Sequence, residues 1–486
     1  MNTIIKSILL TLVVLLPTSC SDSFVEVKPN DQNSEDYFNT AEEFDLAVVS
    51  AYDLLQSTYI NVMLGEIASD NTLAGGESSN DAPGIQEIDD MRHTPLNAQL
   101  RDIWGWMFAG VNRANYVMEF QNKIDFTGKN VLLAEARFLR AYYYFELVKF
   151  FGDVPLTVDK RFLFGDQFTV GRTPKAEVYA QIEQDLIYAS ANLPAVGKQT
   201  GRATKGAAQA LLGKAYLFQN KYAEAAEVLE QLITSGSYRL VTNYDNMFES
   251  IGENNAESVF EVQYSDKEGA GFGCLQCSEG NVAVGFNGIR NYNGPKYDSG
   301  FSFNVPTSGL ANAFEPSDIR KRVAILDIEA WAASTGATFV KGYEHTGYYN
   351  NKYIARQGDL NTGDANLTNP NNYRAIRFAD VLLMAAEANN KKSSADAIKS
   401  QAYLNRVRNR AGLSNITLTG DALTNAIYRE RRVELAGEGH RFFDLVRTSK
   451  AQESIPNFTV GKHEIFPIPA IEIQLAGNRW IQNPNY

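Results

Sequence analysis

The chain has 486 residues and carries 45 Lys and Arg against 57 Asp and Glu, a net charge of −12. Hydrophobic residues make up 44% and charged residues 21%, which is enough for a sizeable core and excludes disorder over most of the length. The acidic balance, with no cluster of Lys and Arg, excludes nucleic acid as the main partner.

Residues 1–19 read as an export signal. Lys6 precedes an apolar stretch from Ile8 to Leu16 that is too short to span a bilayer, and small residues then lead to Cys20. A cysteine at the cleavage point predicts lipid attachment to its sulfur, with residues 20–486 as one mature body. A conventional secretory signal with an incidental cysteine is the other reading. Two acyl chains would give stable attachment, each buried CH₂ adding about 0.8 kcal/mol.

Helix pairs follow. The run from Ala207 to Ile233 places Leu212, Gly213, Tyr216, Tyr222, Ala225 and Leu229 where a tetratricopeptide pair packs. Small Gly213 and Ala225 allow close approach, and Tyr216 and Leu229 interdigitate across the contact. Similar spacing recurs in Val131 to Phe150 with Ala176 to Ala191, and in Ile376 to Ala388 with Ala395 to Val407. A weaker fourth pair joins Glu42 to Leu55 with Leu100 to Met118. One pair cannot bury its own apolar face, so the pairs must stack. The sequence therefore predicts a mainly α fold: a tetratricopeptide-like scaffold of about four units, with long irregular insertions carrying short strands.

The insertions lie near 61–97 and 237–373, and a third irregular segment runs from Glu453 to the end. The larger is rich in Gly, Asn and Tyr, and alternates like a strand at Ser258 to Tyr264. Loops this long are functional when their aromatic content argues against disorder. Cys274 and Cys277 sit within the larger insertion among glycines. Zinc would need two more ligands, and a thioredoxin-type motif would open a helix. In an exported chain a short-loop disulfide is the favoured reading.

Glu430, Glu434 and Glu438 recur at helical spacing, with Arg431, Arg441 and Arg447 available to pair with Glu434, Glu438 and Asp444. A glycosidase needs two facing carboxylates, one with a raised pKa, whereas carboxylates among arginines are held ionised. The block therefore reads as structural, as do Arg137, Arg140 and His440. Trp104 and Trp106 lie in a helical run and read as core. The sequence predicts no enzyme, no catalytic residue, no cofactor and no metal site.

Several blocks resemble the SusD/RagB family of Bacteroidetes outer-membrane lipoproteins. They are Ala134 to Phe145 with Phe151 to Leu156, then Arg202 with Thr204 and Lys205, then Tyr373 and Arg374 with Asp380 to Ala388. Leu404 to Leu413, Ile427 to Leu435, Glu438 to Arg441, Asp444 to Arg447, Phe466 to Pro469 and Gln482 to Tyr486 complete the order. The resemblance implies four tetratricopeptide-like units with the insertions building a ligand surface on one side. It also implies a partner, a SusC-like TonB-dependent transporter barrel, and capture of oligosaccharides, or in some members peptides, at the exterior of the outer membrane. A pure protein-binding scaffold is a further alternative.

Sugars offer apolar faces rimmed by hydroxyls, so a site wants aromatic planes with polar edges. The first insertion offers Asp70, Asn71 and His93. The second offers Tyr292, Tyr297 and Trp331, with Tyr343, Tyr348 and Tyr349. Trp331 ranks first as the one tryptophan in that insertion. For each of these residues, packing within the insertion's own small core is the competing role.

Overall fold

The structure is a computed structural model that describes residues 37–359 and 365–486. Cys20 and the residues read as an export signal, 1–19, lie outside the described residues. The scaffold consists of α1 (Ala41–Asp53), α2 (Tyr59–Ile67), α3 (Ala98–Glu119), α4 (Lys129–Phe151), α5 (Lys175–Asn192), α6 (Lys205–Phe218), α7 (Tyr222–Thr234), α8 (Phe378–Lys391), α9 (Ala397–Arg410) and α10 (Gly420–Glu434). The four expected pairs are present: α1 packs on α3, α4 on α5, α6 on α7 and α8 on α9. The pairs stack in that order, through α3 on α4, α5 on α6 and α7 on α8.

Local chemistry sets the helix starts. Thr40 opens α1 with a reciprocal capping box: its hydroxyl accepts from the Glu43 N–H, and the Glu43 carboxylate accepts from the Thr40 N–H. Asn97 and Thr204 cap α3 and α6 in the same sense. The predicted close approach at Gly213 is real, since a Cβ there would lie 2.5 Å from the Leu229 side chain. Similarly, Gly110 of α3 faces the ring of Tyr143 on α4, where a Cβ would again come within 2.5 Å.

The large insertion closes on itself. Strand Ser258–Val262, inside the predicted alternating run, pairs antiparallel with Tyr373–Arg377, which leads directly into α8. The two ends of the insertion are thereby zipped together on the scaffold.

Beneath this strand pair lies a buried lattice of charge. Arg377 donates to Glu257 at 2.8 Å, to Glu434 at 2.8 Å, and to both oxygens of Glu438 at 2.7 and 2.8 Å. Lys352 reaches Glu438 at 2.6 Å, Arg410 reaches Glu434 at 2.6 Å, and Arg320 reaches Glu434 at 2.9 Å. Arg377, Glu257, Glu434, Glu438, Lys352 and Arg320 are buried, and the Arg410 side chain is nearly so. The expected pairing thus holds for Asp444 but not for Glu434 and Glu438, which bind arginines and a lysine from elsewhere. Arg431 and Arg447 bind Asp444, and further reach Asp380 and Glu387 respectively, while Arg441 binds Asp70. The helix also stops at Glu434, and Glu438 reaches the lattice through a turn with Gly437 and Gly439 at φ 78° and 84° rather than along a helix face.

The lattice sets the acid response. Burial alone would raise the Glu434 pKa, but the charges of Arg410, Arg377 and Arg320 outweigh it and hold the group well below the carboxylate range. Glu438, Asp380 and Asp444 are lowered in the same way against their own burial, by Arg377, by Lys214 and by Arg431 respectively. Elsewhere, burial pushes His93 and His440 down to about 3, and pushes Glu66 and Asp89 up to about 7. In the unfolded chain the histidines take up protons from about pH 6.5 downward, which lowers stability as pH falls. The native Glu66 and Asp89 keep protons that the unfolded chain has lost above about pH 4, which lowers stability as pH rises. These slopes oppose each other between about pH 4.5 and 6.5, and below that window the lattice carboxylates add to the histidine loss. Urea midpoints measured against pH should therefore be nearly level across that window and fall steeply below it. A steady decline from pH 7 to 4.5 would contradict this balance.

Candidate functional site

The first insertion and the large insertion meet as one surface. Strand Thr72–Gly75 pairs antiparallel with Phe303–Pro306, and the Gly76 N–H donates to the Ser302 carbonyl at 2.8 Å. The chain at Tyr343 docks beside this strand, its N–H donating to the Gly76 carbonyl at 2.8 Å. Glu344 accepts from the Gly75 N–H at 3.2 Å. Gly76 is required here: its φ is 95°, and a Cβ would lie 2.8 Å from the Phe303 ring.

Among the described residues of the two insertions, eight other than glycine hold left-handed backbone: Ala82, Met91, Asn254, Asn291, Lys296, Ser302, Asn304 and Glu344. Such strain persists only where the surroundings fix it, and it concentrates at ligand clamps.

The aromatic part of the surface rests on a small core of its own. Tyr292, Tyr297, Tyr349, Ile289, Leu326 and Ile328 are buried together, with Trp331 and Phe339 half-buried against them. Trp331 stands on the short helix Ile328–Thr335, which Asp327 caps by accepting from the Ala330 N–H at 3.0 Å. Its indole Nε1 donates to the Tyr292 hydroxyl at 2.8 Å, and that hydroxyl donates to the Pro295 carbonyl at 2.7 Å. The Tyr297 ring meets the indole edge-on with centroids 5.3 Å apart. Burial pushes the Tyr297 hydroxyl up to about 12, and it donates to Asn351 at 3.1 Å. The indole is thus oriented by two tyrosines that are themselves buried. Tyr292 and Tyr297 support the platform rather than expose it.

The polar part lies beside Gly76. Arg290 donates to the Phe301 carbonyl at 2.7 Å and to the Ser302 hydroxyl at 3.1 Å, and it reaches Asp81 at 3.4 Å and Glu77 at 3.6 Å. Val340 donates its N–H to the Arg290 carbonyl at 2.9 Å, linking this group to the Trp331 side of the surface. Arg290, Asp81 and Phe301 are absent from the sequence expectations. Their only signal was the polar, Gly-rich composition of the first insertion and the Gly-, Asn- and Tyr-rich composition of the second, which does not single out individual residues.

The remaining expected residues are placed elsewhere. Asp70 accepts from Arg441 at 2.7 and 3.0 Å and pairs with Arg432 at 2.9 Å, so its carboxylate ties the first insertion to the C-terminal charged segment. Asn71 is buried between Arg432 and Glu66, at 2.9 and 3.2 Å. His93 is buried under the C-terminal segment, with its Nε2 2.8 Å from the Tyr486 hydroxyl and its ring against Phe466. Asp70 and Asn71 through their side chains, and His93 through its Nε2, are engaged within the protein, because the first insertion must be fastened to the body it covers. Cys274 and Cys277 form a disulfide. Trp104 is buried in the core and Trp106 half-buried against it. Among the described residues, no group of three or more His, Cys, Asp or Glu is placed to hold a metal ion.

Stacked helix pairs with their insertions gathered into one aromatic surface define a tetratricopeptide-like repeat protein. A family model described as the SusD family matches residues 326–486, and one described as starch-binding, associating with outer membrane, matches residues 23–217. A solved structure named laminarin binding SusD-like protein is 36% identical, with a TM-score of 0.84, covering 92% of this chain and 99% of its own. Surface glycan-binding protein A from Bacteroides thetaiotaomicron, solved in complex with laminarihexaose, is 26% identical with a TM-score of 0.82, over 92% and 100% of the two chains. SusD-like protein P2 of Formosa agariphila is 27% identical over 99% of this chain and all of its own. The chain belongs to the SusD/RagB family.

A prediction separates fastening from ligand contact. Asp70→Ala leaves Arg432 and Arg441 without their shared carboxylate and should cost about 1–3 kcal/mol of stability in urea denaturation. Its ligand affinity at saturating fold should match the parent. Unchanged stability with weakened binding would return Asp70 to the ligand surface.

Proposed function

We propose that this protein captures a laminarin-type glycan at the cell surface and passes it to a SusC-like TonB-dependent transporter without chemical change. The observation that carries the reading is the 36% identity, over 92% of the chain, to a laminarin-binding SusD-like protein. The geometry supports it. Trp331 is a flat ring held by the Tyr292 hydroxyl bond, and Arg290 and Asp81 stand on the same surface as hydrogen-bonding groups. Pre-oriented aromatics bind with little loss of rotamer freedom, which favours stacking on the apolar face of a sugar.

A non-enzymatic role fits the carboxylates of the C-terminal block. Glu434 and Glu438 are consumed by Arg377, Arg410, Arg320 and Lys352, and are held ionised by them. A glycosidase acid needs the opposite environment. Anchoring through a lipid on Cys20 and an outward-facing position at the outer membrane belong to the same reading. The family model over residues 23–217 supports it by its described association with the outer membrane.

Calorimetry with laminarihexaose, alongside a panel of other glycans and peptides, tests the reading. Trp331→Ala should weaken glycan binding by about 2 kcal/mol or more, the size of a hot spot. Stability should change less than affinity, because the ring is only half-buried at the edge of its cluster. Retention of peptides with no glycan bound would overturn the substrate class, and full affinity in Trp331→Ala would remove the platform.

A further inference from the structure

The loop between Ser265 and Glu279 has an unusual construction. Its base is fixed: the Ser265 N–H donates to the Glu279 carbonyl at 2.8 Å, and Ser278 Oγ donates to the Leu367 carbonyl at 2.7 Å. Gln56 of the scaffold further holds it, donating to the Gln263 carbonyl at 3.1 Å and to the Glu279 carboxylate at 3.1 Å. The tip is held by the Cys274–Cys277 disulfide, with both cysteines exposed to solvent. A bridge closing so short a loop removes little entropy from the unfolded chain compared with a long-range one. Its effect is to fix the shape of the tip.

What the tip carries is Phe272, a large apolar ring that is 58% exposed. Gly271 and Gly273 flank it, and a Cβ on either would meet nothing within 4 Å, so neither glycine serves packing there. The Phe272 ring meets Phe301 edge-on at 5.6 Å, and Phe301 continues to Phe286 at 5.8 Å and on to Phe303 at 5.4 Å. Phe303 is the ring that abuts Gly76, and the Phe301 carbonyl is the one bound by Arg290. Phe272 therefore stands at the end of an aromatic row that leads to the polar group of Arg290 and Asp81. An aromatic ring left in water on a loop that is tied at both base and tip has been oriented for a contact from outside.

We infer that the tip Gly271–Cys277 is a second aromatic contact for the bound oligosaccharide, with Phe272 stacking on a sugar ring beyond the one held by Trp331; the disulfide lies two residues beyond the ring and steadies it through the Cys274 N–H, which donates to the Gly271 carbonyl at 3.2 Å. The inference rests on the glycan-binding reading above. It assigns the disulfide a role in affinity rather than in stability, and it makes Phe272 a determinant of the chain length that the protein prefers.

The test measures the affinity for laminarihexaose and for shorter oligosaccharides of that series by calorimetry, with melting temperatures, in four proteins: the parent, Phe272→Ala, Phe272→Tyr and the double variant Cys274→Ser/Cys277→Ser. Phe272→Ala should raise Kd for the hexaose by about tenfold or more, as expected of an aromatic anchor that the ligand covers. Phe272→Tyr should retain the parent affinity. The double serine variant should raise Kd about three- to tenfold through lost pre-organisation. All should melt within a few degrees of the parent, and the loss should shrink as the oligosaccharide shortens. Unchanged Kd in Phe272→Ala, with binding lost in Trp331→Ala, would overturn this inference and leave the glycan reading intact. A parent protein that binds no member of the series and no other glycan would overturn both. A large drop in melting temperature in the double serine variant with unchanged Kd would make the disulfide purely structural and overturn the inference.

Discussion

Arg377 and the carboxylates around it set the constraint on which the rest of the molecule depends. This guanidinium sits at the end of the strand that closes the large insertion and at the start of α8, the helix that continues the scaffold. Its partners come from three directions: Glu257 from the insertion, and Glu434 and Glu438 from α10 and the turn after it. Lys352 and Arg320 join from deeper in the insertion, and Arg410 from α9. Burying so many charges carries a large desolvation cost, which the mutual attraction offsets only where every lone pair and proton finds a partner. A lattice of this kind adds little net stability over an apolar core, but it tolerates one arrangement of its parts. Removing any single member strands the others. The insertion is thereby held in one position relative to the repeats.

The proposed binding surface inherits that position. A second ion-paired junction does the same for the first insertion, where Asp70 reaches Arg432 and Arg441. Between the two anchored insertions lie the strand pair at Gly75, the polar group around Arg290, and the aromatic platform topped by Trp331. The scaffold itself contributes few groups to this surface. Its helix pairs supply a rigid base, packed through contacts such as Gly110 against Tyr143, while the irregular segments supply the chemistry. That division of labour lets the surface vary without disturbing the repeats, and it accounts for the structural similarity over nearly the whole chain to a relative of only 26% identity.

The helical scaffold was legible because its signal is local. Apolar spacing, small residues at contacts and capping residues all act within one or two helix turns, and each expected pair is present. The alternating run at Ser258 was legible for the same reason, but its partner strand, more than a hundred residues away, was not. The charged block could be read as structural from its composition, yet its partners could not. Arg320, Lys352 and Arg377 meet Glu434 and Glu438 only after the insertion has folded back, so sequence proximity pointed to Arg431, Arg441 and Arg447 instead. The site was the least legible. Asp70, Asn71 and His93 carry side chains suited to a ligand, and each is engaged by a distant segment: Arg441, Arg432 and Tyr486. Trp331 could be ranked by residue type, whereas the placement of Arg290, Asp81 and Phe272 on the proposed surface depends on contacts made only once the insertions have folded.

The most direct measurement of this account is hydrogen exchange, under native conditions, on an Arg377→Met variant compared with the parent. The account predicts that the amides of Ser258–Val262 and Tyr373–Arg377, and those around Gly75 and Gly76, lose protection together, because the lattice that fixes both insertions has lost its centre. The amides of α4 to α7 should keep theirs, since their packing does not involve Arg377. Protection unchanged in the strand pair and at Gly75, or lost equally throughout the scaffold, would contradict the claim that this buried charge lattice is what positions the binding surface.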